Sequence, residues 1–252
     1  MPLGPLGNLR ILPPKQRKHF GGDKKIKNPS AVEHKMRVLH DKETGLYTGL
    51  PQEWLEHLNK QFGVAPKDLP AMQLEEYEAK IPKVLVTLRS KLEEAEAYQQ
   101  VGIFRLAPNA SDNKAVKEKI DKGVMDVAEE KVDVNVYANL IKVWFRDLPD
   151  PLLNCVNPDL IEHVASPDEA GKVVAKMPDP EKSIFLWLCD MCVDVAQYEK
   201  TNKMGAGNMA IVVGPNLFNT NKIENPMKAM TFSGKVVEFF KHAIVWRQRM
   251  WE

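Results

Sequence analysis

Asp133-Val-Asn-Val136-Tyr-Ala-Asn139-Leu140-Ile-Lys142-Val-Trp144-Phe-Arg146-Asp-Leu-Pro149-Asp-Pro151 is the stretch that decides the fold. Val136, Leu140, Val143 and Trp144 recur at spacings of three and four, the period of a helix with one apolar face. Asp133 is a fitting N-cap, and the helix must end before Pro149. Lys142 and Arg146 stand four apart, so they share a face away from the apolar stripe.

The same period extends outward in both directions. Val84, Leu85, Leu88, Leu92 and Ala95 mark an amphipathic helix after Pro82. Ser111 is the expected cap of a helix that uses Val116 and Ile120 and stops at Gly123. Pro158 suits the first turn of another helix, and residues 168–176 suit a further short one. The longest helix is expected to begin near Pro180, with Ile184, Trp187, Leu188, Met191, Val195 and Tyr198 as its stripe. Apolar stretches over Asn208–Val213 and Val236–Val245 complete the set. Nothing after residue 82 alternates at period two, so the expected class is all-α. Before residue 82 the pattern changes. Residues 1–25 hold Pro, Gly and basic residues without periodicity and read as a flexible leader. Residues 26–54 read as an extended segment or a hairpin, with turn signals at Thr44-Gly45 and Thr48-Gly49. A brief helix through Trp54, Leu55 and Leu58 is expected to end at Gly63.

Composition excludes several classes. A hydrophobic fraction of 44% over 252 residues is ordinary for a globular chain. The densest apolar run, Ile184–Cys189, is far shorter than a membrane-spanning helix requires, and Met1–Pro14 lacks the apolar core of a signal peptide. Three cysteines fit reduced cytosolic thiols. The expectation is therefore a soluble, cytoplasmic protein. The net charge of +1 conceals a division, because residues 1–40 carry nine Lys and Arg against Asp23 and Glu33. That basic arm of +7 leaves −6 for the remainder, which suggests an acidic partner or an anionic membrane surface.

Two chemical motifs fail on inspection. Cys189-Asp-Met-Cys192 offers half of a zinc site, but no second pair of ligands follows it, and its helical setting favours packing over metal. Gly205-Ala-Gly207-Asn-Met-Ala210 matches a dinucleotide fingerprint, yet polar residues precede it where a buried strand is needed. The six histidines are scattered, and no phosphate-binding Walker sequence is present. No metal, no cofactor of its own and no nucleic-acid partner are expected.

Three segments survive when taken together: Val101-Gly-Ile-Phe-Arg105-Leu106; the run from Asn139 to Pro151; and Asn202-Lys-Met-Gly-Ala-Gly-Asn208-Met-Ala-Ile-Val-Val-Gly-Pro-Asn216-Leu-Phe218. In this order they resemble the RhoGAP domain, the Rho-family GTPase-activating domain, over roughly residues 68–250. The resemblance implies an all-α bundle that activates a partner GTPase without being an enzyme itself. It implies that Arg105 is an arginine finger, stabilising charge on the phosphoryl group in the partner's active site. It also implies that Lys142 and Arg146 support the finger loop and touch the GTPase, and that Asn208 makes a polar contact near the nucleotide. GTP and magnesium belong to the partner. Ala107-Pro108 stands where the family usually has Ser-Gly, and Pro fixes φ and removes a donor. The alternative left open is a catalytically weak or inactive module of the same fold that reads out GTP-loaded GTPase.

A second resemblance lies within residues 26–62. Ile26, Pro29, His34, Val38, Asp41, Gly45, Tyr47, Gly49, Pro51 and Trp54 follow the spacing of a CRIB (Cdc/Rac interactive binding) motif. Val32, Arg37 and Leu39 stand where that motif usually has an aromatic, a His and a Gly. The motif implies an extended segment that adds a strand to a GTP-loaded Rac- or Cdc-type GTPase. It either acts on the same GTPase molecule as the helical body or covers the body's GTPase-binding face.

Overall fold

A computed structural model describes residues 38–41, 46–51, 54–55, 58–123, 132–219 and 225–251. In chain order, β1 (Leu39–His40) pairs antiparallel with β2 (Tyr47–Thr48), and β3 (Ala71–Met72) pairs antiparallel with β4 (Ile81–Pro82). Helices α1 (Lys83–Glu94), α2 (Ala110–Asp121) and α3 (Val134–Arg146) follow. Then come the short α4 (Pro158–Glu162) and α5 (Pro167–Val174), the long α6 (Glu181–Gln197) and the single turn α7 (Glu199–Asn202). The described chain closes with α8 (Ala206–Val213) and α9 (Pro226–Arg249). The body is helical, and the two strand pairs are two residues deep.

Local chemistry accounts for the starts and stops. The Asp133 carboxylate accepts the Asn135 N–H at 2.9 Å and opens α3 as expected. Pro158 and Pro167 both occupy first-turn positions. Gly123, at φ +86°, ends α2 in the left-handed region. The cap of α2 is Asn109 and not Ser111: its side chain accepts the Ser111 N–H at 2.8 Å and the Ser111 hydroxyl at 2.6 Å. Asn and Ser are near-equal caps, and the helix takes the earlier one. The longest described helix is α9, with 24 residues, and not α6, with 17. Its first turns carry Met227 and Met230 exposed, so its buried stripe becomes visible only from Phe232 onward.

The core is one cluster. Helix α1, with Leu85, Leu88 and Leu92 buried, packs against α3, with Leu140, Val143 and Trp144 buried, while Phe185 of α6 stacks on Phe239 of α9 at 5.8 Å between ring centroids. Where α5 meets α9, Gly171 lies so close to Trp246 that a Cβ would fall 2.4 Å from the indole Nε1. Gly171→Ala should therefore cost about 1–3 kcal/mol through overpacking, measured as a lower midpoint of thermal unfolding. The Cys189 and Cys192 side chains are both fully buried in α6, and burial pushes both thiols well above their ordinary pKa. Among the described residues no group of three or more His, Cys, Asp or Glu is arranged to hold a metal ion, and no helix is long and apolar enough to cross a membrane.

Candidate functional site

The site grows from the loop between α1 and α2. A 3-10 turn at Ala97–Gln99 leads out of α1, and Gly102 then takes φ +75°. The Gly102 carbonyl accepts the N–H groups of both Arg105 and Leu106 at 2.9 Å, which closes the loop on itself. Ile103 and Phe104 are completely buried and anchor it, while Arg105 is exposed. A side chain at position 102 is excluded twice over, by the backbone angle and by space. An added Cβ would sit 3.1 Å from Leu106 and 3.4 Å from the Arg105 guanidinium, which folds back over the glycine.

Phe104 also lies at positive φ, +66°, an unfavourable place for a bulky residue. Such a conformation costs on the order of 1–3 kcal/mol and persists only where surroundings impose it. Here the surroundings are the buried phenyl ring and Lys142, whose Nζ donates to the Phe104 carbonyl at 2.5 Å. Burial, followed by the nearby Arg146 charge, lowers the Lys142 pKa from the ordinary lysine value. Lys142 is thus partly withdrawn from water toward a carbonyl next to Arg105. Arg146, one turn on, stays exposed, and its Nε stands 3.3 Å from Asp147, whose other oxygen takes Lys117 at 2.7 Å.

The third segment also reaches the Arg105 loop. Asn202 is fully buried, and its Nδ2 donates to the carbonyls of Tyr98 and Val195, each at 2.7 Å. Its Oδ1 accepts the Met204 N–H at 2.6 Å, and its own carbonyl accepts the Gly102 N–H at 2.8 Å. One residue therefore ties the base of the Arg105 loop, the end of α6 and the approach to α8. Asn208 is exposed on the first turn of α8 and donates to the Lys203 carbonyl at 2.8 Å. Ile211, one turn further along that helix, is 60% exposed. Asn202 is a residue that the sequence reading did not single out. Its signal was an Asn four residues past the stripe of the long amphipathic helix and just before Lys-Met-Gly, a turn-forming position.

Ala107-Pro108 falls outside the closed loop. It joins Leu106 to the α2 cap at Asn109, downstream of every tether on Gly102 and Phe104.

Of the N-terminal candidates, Ile26, Pro29, His34 and Gly45 lie outside the described residues. Val38 and Asp41 are exposed, and the Asp41 N–H donates to Leu46 at 2.9 Å. Gly49 has φ +80°. The Pro51 carbonyl accepts from Trp54 and Leu55, opening the expected short helix, and Trp54 is 60% exposed. Tyr47 makes the most specific contact, since Asn59 bonds both its N–H and its carbonyl, at 2.9 and 3.1 Å. The expected hairpin is present, docked on the helical body.

The family model of the RhoGAP domain matches residues 82–222. Rho GTPase-activating protein gacA of Dictyostelium discoideum is 34% identical over 183 residues, which is 73% of this chain and 52% of that protein. Rho GTPase-activating protein 5 of Arabidopsis thaliana is 30% identical, over 86% of this chain and 65% of its own length. The chain thus spans between about half and two thirds of these relatives. Among solved structures, human Rho GTPase activating protein 15 has a TM-score of 0.60 at 18% identity, covering 72% of this chain and 88% of that one.

Proposed function

The chain belongs to the RhoGAP family, whose model covers more than half of it, and on that premise we propose that it inserts Arg105 as an arginine finger into a Rac- or Cdc-type GTPase. The family's role is to stimulate GTP hydrolysis by Rho-family partners, and the protein supplies a side chain to a site that it does not itself contain. The observation that supports Arg105 above other arginines is its setting. It is an exposed guanidinium directly after two fully buried residues, on a loop held by Asn202 and Lys142. A planar guanidinium can bridge two phosphoryl oxygens, which an ammonium cannot. The loop main chain that carries Arg105 is already held, so only the side chain must turn outward to meet developing charge.

Lys142 acts through the Phe104 carbonyl, and Arg146 and Asn208 present polar groups to the partner. The position of Ala107-Pro108 favours a working activator over an inactive module, because this departure lies beyond the tethers of the loop. The CRIB-like spacing between Ile26 and Trp54 is the basis for preferring Rac- or Cdc-type partners. The basic arm over residues 1–40 favours recruitment from the cytoplasm to an acidic partner or an anionic membrane.

The test is single-turnover GTP hydrolysis by purified Rac-, Rho- and Cdc-type GTPases with and without the chain. Acceleration that is greatest for Rac- or Cdc-type proteins is expected, and none with any of them would end the reading. Lys142→Met is expected to keep the fold yet free the Phe104 carbonyl. Losing one part-buried charge-assisted hydrogen bond is worth about 1.5–3 kcal/mol. The saturated rate should then fall by about 10- to 150-fold, while affinity for GTP-loaded GTPase changes little.

A further inference from the structure

The Arg105 loop has two roots. One is the end of α1, which passes through Glu96 and the 3-10 turn at Ala97–Gln99 before the chain reaches Gly102. The other is the turn after α6, where the Asn202 carbonyl holds the Gly102 N–H. Glu96 takes φ +50°, just past a helix end where glycine is the usual residue. The two roots belong to different helices, so the loop is held only as well as those helices are held to each other.

Arg89 joins them about two helical turns upstream of each root. From α1, its Nη2 donates to the Asp194 carboxylate of α6 at 2.6 Å, a bond between residues 105 apart. Its guanidinium also lies 5.8 Å from the ring centroid of Trp187, another residue of α6. Its Nε donates to Glu93 Oε1 at 2.8 Å, and that same oxygen accepts the Tyr98 hydroxyl at 3.2 Å. Tyr98 is buried, and burial raises its pKa, so the phenol stays a donor. The Tyr98 carbonyl accepts Asn202 Nδ2 at 2.7 Å. Tyr98 is therefore clamped at both ends, its hydroxyl on α1 and its carbonyl on the Asn202 hub.

We infer that Arg89 is a positioning residue for Arg105: it locks α1 to α6 and, through Glu93, fixes the Tyr98 hydroxyl, so that both roots of the loop keep one spacing. This inference rests on the GTPase-activating reading above. The side-chain hydrogen bonds of Arg89 go to Glu93 and Asp194, so its effect on the loop is transmitted and not direct. Reaching two carboxylates on separate helices takes the planar fork of arginine, which lysine lacks. Stability alone gives little reason for the arrangement. The Glu93 and Asp194 side chains are 46% and 36% exposed, and ion pairs so open to water add little to stability. Arg89, Glu93 and Asp194 also line an open cleft of about 390 Å³. Shortening Arg89 therefore admits water beside polar groups and leaves no dry cavity. A cost in rate that exceeds the cost in stability is the mark of such a brace.

The experiment uses the whole chain. Arg89→Met keeps the side-chain stem and removes the fork, and Tyr98→Phe removes the hydroxyl alone. Single-turnover hydrolysis by a Rac-type GTPase is measured at saturating protein, and affinity is measured with a non-hydrolysable GTP analogue. Amide hydrogen exchange is followed at Gly102, Arg105 and Leu106 with no partner present. Gly171→Ala is the control, destabilised where α5 meets α9. Arg89→Met and Tyr98→Phe are each expected to lower the saturated rate about tenfold, a small displacement of the catalytic group being enough, with affinity retained. Exchange at the three amides should quicken about tenfold relative to amides of α9. The double variant should be little slower than either single one, because both act through one chain of contacts. Arg89→Lys should restore little of the rate. Unchanged rate or unchanged exchange in both single variants, with wild-type acceleration intact, overturns the inference and leaves the activator reading standing. An equal loss of rate in Gly171→Ala also overturns it, since the effect would be one of general stability, and so does a loss of affinity in place of rate. Should the wild-type chain fail to accelerate hydrolysis, the activator reading falls, and exchange at the three amides alone decides whether Arg89 braces the loop.

Discussion

Arg105→Ala should remove nearly all of the acceleration that the chain gives its GTPase, a fall of roughly 10³–10⁵ in single-turnover rate at saturating protein. That range corresponds to about 4–7 kcal/mol of barrier, more than any other single side chain in the molecule is asked to supply. The fold gives no reason for a competing effect. Arg105 is exposed, and the tethers that shape its loop run through Gly102 and Phe104, whose main chain is untouched by the substitution. Stability should therefore move by less than about 0.5 kcal/mol, as for other surface changes. Arg105→Lys separates charge from geometry: it keeps the cation but loses the planar fork, and most of the loss should remain. The measurement is hydrolysis at saturating protein together with affinity for the GTP-loaded partner. A variant that still accelerates within tenfold of wild type would show that Arg105 is not the finger, and binding lost along with rate would show an anchor instead.

Much of this arrangement was legible in the residues, for identifiable reasons. The apolar period of residues 136–144 and of residues 184–195 repeats within single helices, so each announces itself without reference to the rest of the chain. Asp133 and Pro158 punctuate their helices by chemistry that acts across three residues. The exposure of Arg105 was legible because Gly-Ile-Phe-Arg is a short string with two obvious anchors. Contacts that span the chain were not legible. The Lys142 bond to Phe104 links residues 38 apart, and the Asn202 bond to Tyr98 links residues 104 apart. Nor does any local pattern place Phe104 at φ +66°, because the favourable choice for that residue in isolation is negative φ. The α2 cap shows a smaller form of the same limit. Asn109 and Ser111 are both good caps, and the Asn109 side chain reaches the Ser111 N–H and hydroxyl together. The hairpin was visible as turn chemistry, but its docking through Asn59 depends on packing against Gly123 at the far end of another helix.

Asn202→Ala should be the most damaging polar substitution for the fold and the site at once. The side chain has no exposed surface and makes three hydrogen bonds, two donated and one accepted. Truncation leaves the Tyr98 and Val195 carbonyls and the Met204 N–H buried without these partners. A buried group left unsatisfied costs about 1–3 kcal/mol. Some relaxation is available in the short α7 turn, so a total of about 3–5 kcal/mol is expected by denaturant unfolding. That is a large share of the 5–15 kcal/mol typical of a whole domain. The functional consequence follows from geometry and not from chemistry at the nucleotide. The Asn202 carbonyl still exists in the variant, but it is the acceptor of the Gly102 N–H, and its position depends on the side chain that anchors the turn. Once that turn shifts, the loop loses one of its two tethers, and Phe104 has less to hold it in the left-handed region. Hydrolysis at a temperature where the variant is still folded should thus fall by at least about tenfold, since a displacement of about 1 Å at a catalytic group can cost a hundredfold. Asn202→Asp distinguishes the roles, because it keeps the acceptor for Met204 and removes both donors. If the alanine variant unfolded at the wild-type denaturant midpoint, the buried hub would be structurally idle. Full activity in a destabilised variant would confine Asn202 to the fold and leave Lys142 as the principal support of the Arg105 loop.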